Sequence, residues 1–144
     1  MRHARKRLLI VDDDRDALES MKLLLETAYD VCLASSGPDA LIEVERGFRP
    51  DAVLLDLMMP GMDGVELARE LKRAGLHVPV LVVSADPDVE RKSRELGGAE
   101  LLRKPFTYEQ LKAKLDEVLR DGTPRGGGFL RGLLLLIPAR TGCV

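Results

Sequence analysis

The chain has 144 residues, of which 45% are hydrophobic and 32% charged, enough apolar material for one domain with its own core. A formal net charge of -2 argues against a nucleic-acid binder with a strongly basic face, and 3% aromatic residues without tryptophan argue against a base-stacking platform. No apolar run reaches the roughly 20 residues that span a bilayer, and no signal peptide follows the basic start. We therefore expect a cytoplasmic protein that binds neither nucleic acid nor membrane.

Short apolar runs alternate along the chain with segments of helical periodicity. The runs have the length of buried strands, and the segments between them carry apolar residues at steps of three and four. The predicted strands cover residues 8–11, 31–34, 52–55, 78–83 and 100–103. The apolar stripes of the helices that follow them are Ala17, Leu18, Met21, Leu24 and Leu25; Ala40, Leu41 and Val44; Val65, Leu67, Ala68 and Leu71; Val89 and Leu96; and Leu111, Leu115, Val118 and Leu119.

Local signals define several helix ends. Ser36 is expected to cap the second helix and Pro38 to fit its first turn, while Thr107 and Gln110 form a capping box for the last helix. The fourth helix, at residues 88–96, has few apolar residues and is expected to be the least firmly held.

The alternation of strands and helices, joined by short connections, predicts a parallel sheet with helices on both faces, a doubly wound α/β domain. Such sheets bind ligands at the carboxyl ends of their strands. Asp12 and Asp13 follow the first strand, Asp56 follows the third, Ser84 follows the fourth and Lys104 follows the fifth. All five are therefore expected on one rim of the sheet.

Three carboxylates on one rim repel one another unless positive charge lies among them. Lys104 supplies one positive charge, and an all-oxygen set of ligands favours Mg²⁺ as another. The Ser84 hydroxyl can donate to an anionic oxygen. Metal, lysine and hydroxyl around one carboxylate predict a phosphoryl site in which Asp56 attacks phosphorus in line.

Over about residues 6–121 the sequence resembles the receiver domain of bacterial two-component response regulators, of the stand-alone, single-domain type. The segments that carry the resemblance are Leu8-Leu9-Ile10-Val11-Asp12-Asp13-Asp14, Asp56-Leu57-Met58-Met59-Pro60-Gly61-Met62-Asp63-Gly64, Ser84-Ala85 and Lys104-Pro105-Phe106. The resemblance implies a flavodoxin-like, three-layer (βα)5 sandwich with strand order 2-1-3-4-5.

The resemblance also implies a reaction. Asp56 would accept a phosphoryl group from a sensor histidine kinase or a histidine phosphotransfer protein, with Ser84 as the switch hydroxyl and Lys104 as the phosphate-pairing lysine. The protein would signal through contacts with an unknown downstream protein. It would not be a turnover enzyme, although it can lose its own phosphoryl group.

The resemblance further implies a Mg²⁺ site. Its ligands would be Asp13, Asp56 and the backbone carbonyl of Met58, and Asp12 would act mainly through a bound water.

Two other interpretations of the acidic residues 12–14 fit less well. An EF-hand loop beginning at Asp12 needs glycine at its sixth position and an acidic residue at its twelfth, where this chain has Ala17 and Leu23. The order Asp12-x-Asp14 is also similar to that of haloacid-dehalogenase phosphatases. Those enzymes usually carry Thr or Val two residues after the second aspartate, where this chain has Asp16.

One position near the site departs from the family pattern. Receiver domains usually carry Tyr or Phe three residues before the lysine, and this chain has Leu101 there. A receiver-fold module that binds partners constitutively, with little phosphorylation, is therefore the alternative function.

Met58 and Asp86 lie where the family tunes the lifetime of the acyl phosphate: Met58 could shield phosphorus, and Asp86 could orient water.

The sequence after the last helix changes in character. We expect the receiver domain at residues 1–122, and a Gly-rich linker with a short apolar tail, but no output domain, at residues 123–144. Consecutive apolar residues at 133–137 favour packing of the tail on the domain itself or on a neighbouring molecule. The alternative interpretation of the tail is a disordered remnant of a lost or truncated output domain. A homodimer through the last helices or the tail is also left open by the sequence.

Overall fold

A computed structural model of the chain describes residues 5–59, 61–97 and 99–120, and the linker and tail expected at residues 123–144 lie outside this part. Strands and helices alternate in the predicted order. The elements are β1 (Arg7–Val11), α1 (Arg15–Leu25), β2 (Asp30–Ala34), α2 (Gly37–Glu45), β3 (Ala52–Leu55), α3 (Gly64–Arg73), β4 (Val80–Ser84), α4 (Val89–Glu95), β5 (Glu100–Arg103) and α5 (Tyr108–Arg120).

The strands form one parallel sheet in the order β2-β1-β3-β4-β5, which confirms the doubly wound fold and the strand order. The register aligns the carboxyl ends of the strands. Val11 pairs with both Ala34 and Leu55, and Ser84 pairs with Arg103. Residues that follow these pairs therefore meet at one edge of the sheet.

Alternate strand residues enter two apolar layers, as expected for a sheet that is covered on both faces. Leu9 and Val11 pack with α2, α3 and α4, while Leu8 and Ile10 pack with α1 and α5. All four of these side chains are at most 3% exposed. The core therefore holds the strand ends from both sides, which gives the rim a rigid base.

The local signals at the helix ends are confirmed. The Ser36 side chain accepts from the Asp39 amide at the start of α2, with Pro38 in the first turn. Thr107 and Gln110 form the reciprocal capping box, with distances of 2.8 Å and 3.1 Å between amide nitrogen and side-chain oxygen.

The sequence pattern was wrong at a few positions. β4 begins at Val80 rather than at residue 78, because Pro79 has no amide hydrogen for the ladder. Leu24, expected in the stripe of α1, is 40% exposed, since Leu18 and Leu25 lie on the centre of the buried face and Leu24 lies at its edge. None of the helices in the described part of the chain has the length and apolarity required to cross a membrane.

Candidate functional site

Backbone hydrogen bonds extend past the ends of the strands and position the rim residues. The Asp12 amide donates to Ala34 at 3.2 Å, and the Asp56 amide donates to Val11 at 3.0 Å. The Lys104 amide donates to the carbonyl of Ser84 at 3.1 Å. Asp12, Asp56 and Lys104 are therefore each held by a hydrogen bond to a neighbouring strand, and their side chains start from fixed positions.

The three aspartates predicted at the rim come together. One carboxylate oxygen of each of Asp12, Asp13 and Asp56 lies within 4.8 Å of the other two. Asp12 and Asp56 are buried, with 7% and 8% exposure, whereas Asp13 is exposed. An acidic cluster made only of oxygen donors and open to solvent on one side has the donor chemistry that Mg²⁺ prefers, because Mg²⁺ binds few carboxylates and keeps several waters.

Lys104 joins the same cluster. Its Nζ lies 2.9 Å from Asp12 Oδ2 and 3.8 Å from Asp56 Oδ2. Partial burial works against the charge of Lys104, but the hydrogen bond to Asp12 and the negative charges of Asp12 and Asp56 outweigh it and raise its pKa. The lysine is therefore a fixed positive charge beside the predicted nucleophile.

The Asp56 carboxyl is held in a partly desolvated position. Burial raises its pKa, and the nearby Asp12 adds to this, while the hydrogen bond from the Met58 amide and the charge of Lys104 lower it; the net shift is upward. The Met58 amide donates to Asp56 Oδ1 at 3.0 Å. A raised pKa makes the ionised carboxylate a better base and a better nucleophile toward phosphorus than an ordinary aspartate.

The other two predicted site residues are placed differently. Ser84 is fully buried, and its Oγ accepts from the Asp86 amide at 3.1 Å, a bond between residues two apart. Met58 contacts Asp56 through its amide, and its side chain is 55% exposed. The roles of the Met58 carbonyl as a metal ligand and of the Met58 side chain as a shield stay predictions.

A groove leads from the cluster along the surface. Its cavity volume is about 470 Å³, and Asp12, Asp56 and Lys104 form its polar end. The rest of its lining is mostly apolar and comes from α1, including Leu24, from the carboxyl ends of β1, β3 and β4, and from the residues after Lys104, including Phe106. Helical periodicity did not reveal the groove, because it places Leu24 in the buried stripe of α1. The exposure of a leucine at the edge of a helix face becomes apparent only with the helices in place.

An ion pair behind Ser84 has no counterpart among the sequence predictions. Lys92 Nζ, on α4, lies 2.5 Å from Asp86 Oδ2. The other oxygen of Asp86, Oδ1, accepts from the Asp88 amide at 2.8 Å, and the role of Asp86 in orienting water stays a prediction. The six-residue separation of these partners, across a turn into a helix, carries no sequence signal for such a pair.

The chain matches the family model described as response regulator receiver domain over residues 8–116. It therefore belongs to the response regulator receiver domain family, as the sequence resemblance indicated. Among curated proteins, it is 42% identical over 124 residues to the response regulator MprA of Mycolicibacterium vanbaalenii, covering 84% of this chain and 53% of that protein. It is also 42% identical over 121 residues to MprA of Mycobacterium leprae, covering 82% of this chain and 53% of that protein.

Solved structures of response regulators align with this chain over most of its length. The chemotaxis protein CheY4 of Vibrio cholerae aligns with a TM-score of 0.73 at 28% identity, over 81% of this chain and 100% of that one. A CheY-like response regulator receiver domain from Methanospirillum hungatei aligns with a TM-score of 0.74 at 29% identity, over 83% of this chain and 97% of that one. The chain spans about half the length of the curated relatives it matches.

Proposed function

We propose that this chain is a phosphoacceptor in a two-component phosphorelay, with Asp56 as the residue that takes the phosphoryl group in a Mg²⁺-dependent reaction. The observation that carries the proposal is the acidic cluster of Asp12, Asp13 and Asp56 with Lys104 Nζ 2.9 Å from Asp12 and 3.8 Å from Asp56. A structural ion pair needs one acid for one base, and this cluster holds an excess of carboxylates over the lysine. The excess has a physical reason if a cation and a phosphoryl group complete the charge balance.

The reaction is the transfer of a phosphoryl group from a donor to a carboxylate. A bond forms between a carboxylate oxygen of Asp56 and phosphorus, while the bond from phosphorus to the donor breaks and the leaving group keeps the electron pair. The Met58 amide orients the carboxylate, and burial keeps it poorly hydrated. Lys104 is placed to pair with the oxygens of the incoming phosphoryl group.

Asp12, Asp13 and Asp56 fit a Mg²⁺ ion, because they supply carboxylate oxygens only and Asp13 is open to solvent. Bound Mg²⁺ supplies positive charge that offsets the repulsion between the carboxylates and the phosphoryl oxygens. Among the residues that the structure describes, Asp13 makes no hydrogen bond or ion pair through its side chain, so its carboxylate is available as a ligand.

The phosphoryl donor is a sensor histidine kinase or a histidine phosphotransfer protein, and the downstream partner is a further protein. The groove beside Asp56 supports this part of the proposal, because its apolar lining from α1 and Phe106 suits a protein surface better than a small polar phosphate. The chain spans only about half of each curated relative, so the identity of the downstream partner does not follow from them.

The test is phosphorylation by a small donor. Incubation with acetyl phosphate and Mg²⁺ is expected to raise the intact mass of the wild type by one phosphoryl group, and removal of Mg²⁺ with a chelator is expected to prevent the gain. Asp56→Asn is expected to gain nothing, since the amide is not a nucleophile toward phosphorus although it can still accept the Met58 hydrogen bond.

The matched control is Asp51→Asn, at the opposite end of β3, where the carboxylate accepts from the Arg7 amide at 2.8 Å. This variant should gain one phosphoryl group as the wild type does. A wild type that gains no mass in the presence of Mg²⁺ would contradict the proposal and favour a receiver-fold module that binds its partners without phosphorylation.

A further inference from the structure

A buried acid and a lysine connect the fourth strand to the helix that follows it. The Asp86 amide donates to Ser84 Oγ at 3.1 Å, and the Asp86 carboxylate contacts Lys92 Nζ at 2.5 Å. Asp86 is 6% exposed and Ser84 is fully buried. A continuous polar path therefore runs from the hydroxyl at the rim to the middle of α4.

The path is well defined at each step. The Lys92 hydrogen bond and the Asp88 amide lower the pKa of Asp86, and the hydrogen bond to Asp86 raises the pKa of Lys92, so both groups are charged at neutral pH. Ser84 Oγ accepts from the Asp86 amide, and among the residues described the Ser84 hydroxyl hydrogen has no acceptor. The hydroxyl is therefore oriented by Asp86 and free to donate to another group.

Helix α4 depends on such contacts because the core holds little of it. It buries only Val89 and Ser93, and its N-cap residue Asp88 makes no side-chain cap bond. Two other contacts attach the helix to its neighbours: Glu90 pairs with Arg103 at 2.7 Å, and the Ser93 hydroxyl donates to the carbonyl of Ala99 at 2.6 Å. Both of these lead to the segment around β5, whereas the Lys92–Asp86 pair leads to Ser84.

We infer that Asp86 and Lys92 are positioning residues that couple the Ser84 hydroxyl to α4. The inference rests on the proposed phosphorylation of Asp56. When the Ser84 hydroxyl donates to a phosphoryl oxygen, the Asp86 amide bonded to it shifts, and the Lys92 ion pair transmits that shift to the helix. Leu101, which replaces the usual aromatic residue, has neither ring nor hydroxyl with which to form a polar connection, whereas the path through Asp86 and Lys92 is polar.

The test substitutes Lys92 by methionine, which is one atom shorter, keeps an unbranched apolar side chain and removes both charge and donor. The matched control is Arg91→Met, one residue earlier on α4, which loses exposed ion pairs with Asp88 and Glu95; Arg91 acts on Asp86 through its charge but makes no hydrogen bond or ion pair with it. Neither residue touches the acidic cluster, so both variants are expected to gain one phosphoryl group from acetyl phosphate with Mg²⁺.

The readout is amide hydrogen exchange over residues 86–97, with and without beryllofluoride and Mg²⁺. The wild type and Arg91→Met are expected to show a change in protection on addition of beryllofluoride. In Lys92→Met that change should shrink by roughly fivefold or more, the factor expected for loss of a charge-assisted hydrogen bond. Lys92→Arg, which keeps charge and donor, should show the same change in protection as the wild type.

The outcomes separate the two proposals. If the wild type gains no phosphoryl group, both fail. If the wild type is phosphorylated and Lys92→Met responds as Arg91→Met does, only the coupling is overturned. Loss of phosphoryl uptake in Lys92→Met would also overturn it, because Lys92 would then act in the chemistry. Should Lys92→Met not fold, Lys92→Leu removes the same charge and donor and has the same expected outcomes.

Discussion

Helices α3 and α4 follow neighbouring strands and cover the same face of the sheet, yet the core holds them to different extents. α3 buries five residues, and its N-cap Asp63 accepts from the Glu66 amide at 2.8 Å. α4 buries two residues and makes no side-chain cap bond at its start. The loop after Asp56 therefore leads into a firmly packed helix, and the loop after Ser84 leads into one held largely by polar contacts.

Under the proposed function this difference suits the two helices to separate tasks. A phosphoryl site at Asp56 would need a carboxylate whose position does not change, and the packing of α3 would supply that. A signal needs an element that can shift at low free-energy cost, and elements with few buried apolar contacts open most readily. Matched substitutions in the two helices, or in the loops that lead to them, test this contrast.

The largest effect is expected from Leu67→Ala in α3, because Leu67 is fully buried and such truncations cost about 2–5 kcal/mol. Val89→Ala in α4 removes less volume and is expected to cost about 2 kcal/mol. Denaturant unfolding measures both values, and amide exchange should show faster opening confined to α4 in the Val89 variant. Equal global losses would show that α4 belongs to the same cooperative unit as α3.

Gly64→Ala is expected to disturb the Asp56 loop. An added Cβ would lie 2.8 Å from Leu57 Cα and 2.9 Å from the carbonyl oxygen of Asp56, so backbone must move. Overpacking of this kind costs about 1–3 kcal/mol, and uptake of the phosphoryl group should slow as the loop shifts.

The control for Gly64→Ala is Gly37→Ala, at the first position of α2. There the three atoms nearest to the added Cβ all belong to the side chain of Met62, and its sulfur, at 2.6 Å, is near the end of a flexible side chain that can rotate aside. Unfolding midpoints and rates of mass gain with acetyl phosphate should change little in this variant. Equal effects in the two variants would contradict the importance of the close backbone contact at Gly64.

Removal of the N-cap side chain should destabilise the protein more in α3 than in α4. Asp63→Ala removes a side-chain cap and is expected to cost about 1 kcal/mol. Asp88→Ala removes only an exposed ion pair with Arg91, at 3.3 Å, and is expected to cost no more than about 0.5 kcal/mol. Thermal or denaturant unfolding of both variants measures the difference, and a larger loss at Asp88 would mean that α4 is held from its start more firmly than its contacts indicate.

The smallest effect is expected in the pH dependence of stability. Burial raises the pKa of Asp56, so the folded protein binds this proton more tightly than the unfolded chain, and stability is lost as pH rises from the ordinary value of 3.8 through the raised pKa. Asp56→Asn, which stays neutral, should therefore be more stable than the wild type at pH 7 without divalent cations. This difference in stability between Asp56→Asn and the wild type should vanish below pH 3.8, and it should shrink on addition of Mg²⁺ at pH 7.

The result that would oppose this last prediction is a wild type as stable as Asp56→Asn at pH 7 in the presence of a chelator. Such equality would mean that Lys104 and the Met58 amide fully offset the desolvation of the carboxylate. The comparison requires only unfolding curves at two pH values, each with chelator and with Mg²⁺.

Much of this protein was determined by its sequence alone. The short apolar runs and the three- and four-residue periodicity specified a parallel sheet, because strands buried on both faces and amphipathic helices need those patterns. The rule that parallel strands end at one edge was then sufficient to predict that Asp12, Asp56 and Lys104 lie together. These inferences hold because they depend on local pattern and on topology rather than on side-chain packing.

Tertiary structure alone decided the connections that leave the site. Whether Leu24 lies in the core or beside a groove depends on the angle at which α1 packs, which periodicity does not specify. The pairing of Asp86 with Lys92 depends on the turn between β4 and α4 and on the rotamers of two side chains. Such contacts join residues across a change of element, where neither helical nor strand spacing applies, and only the folded chain brings them together.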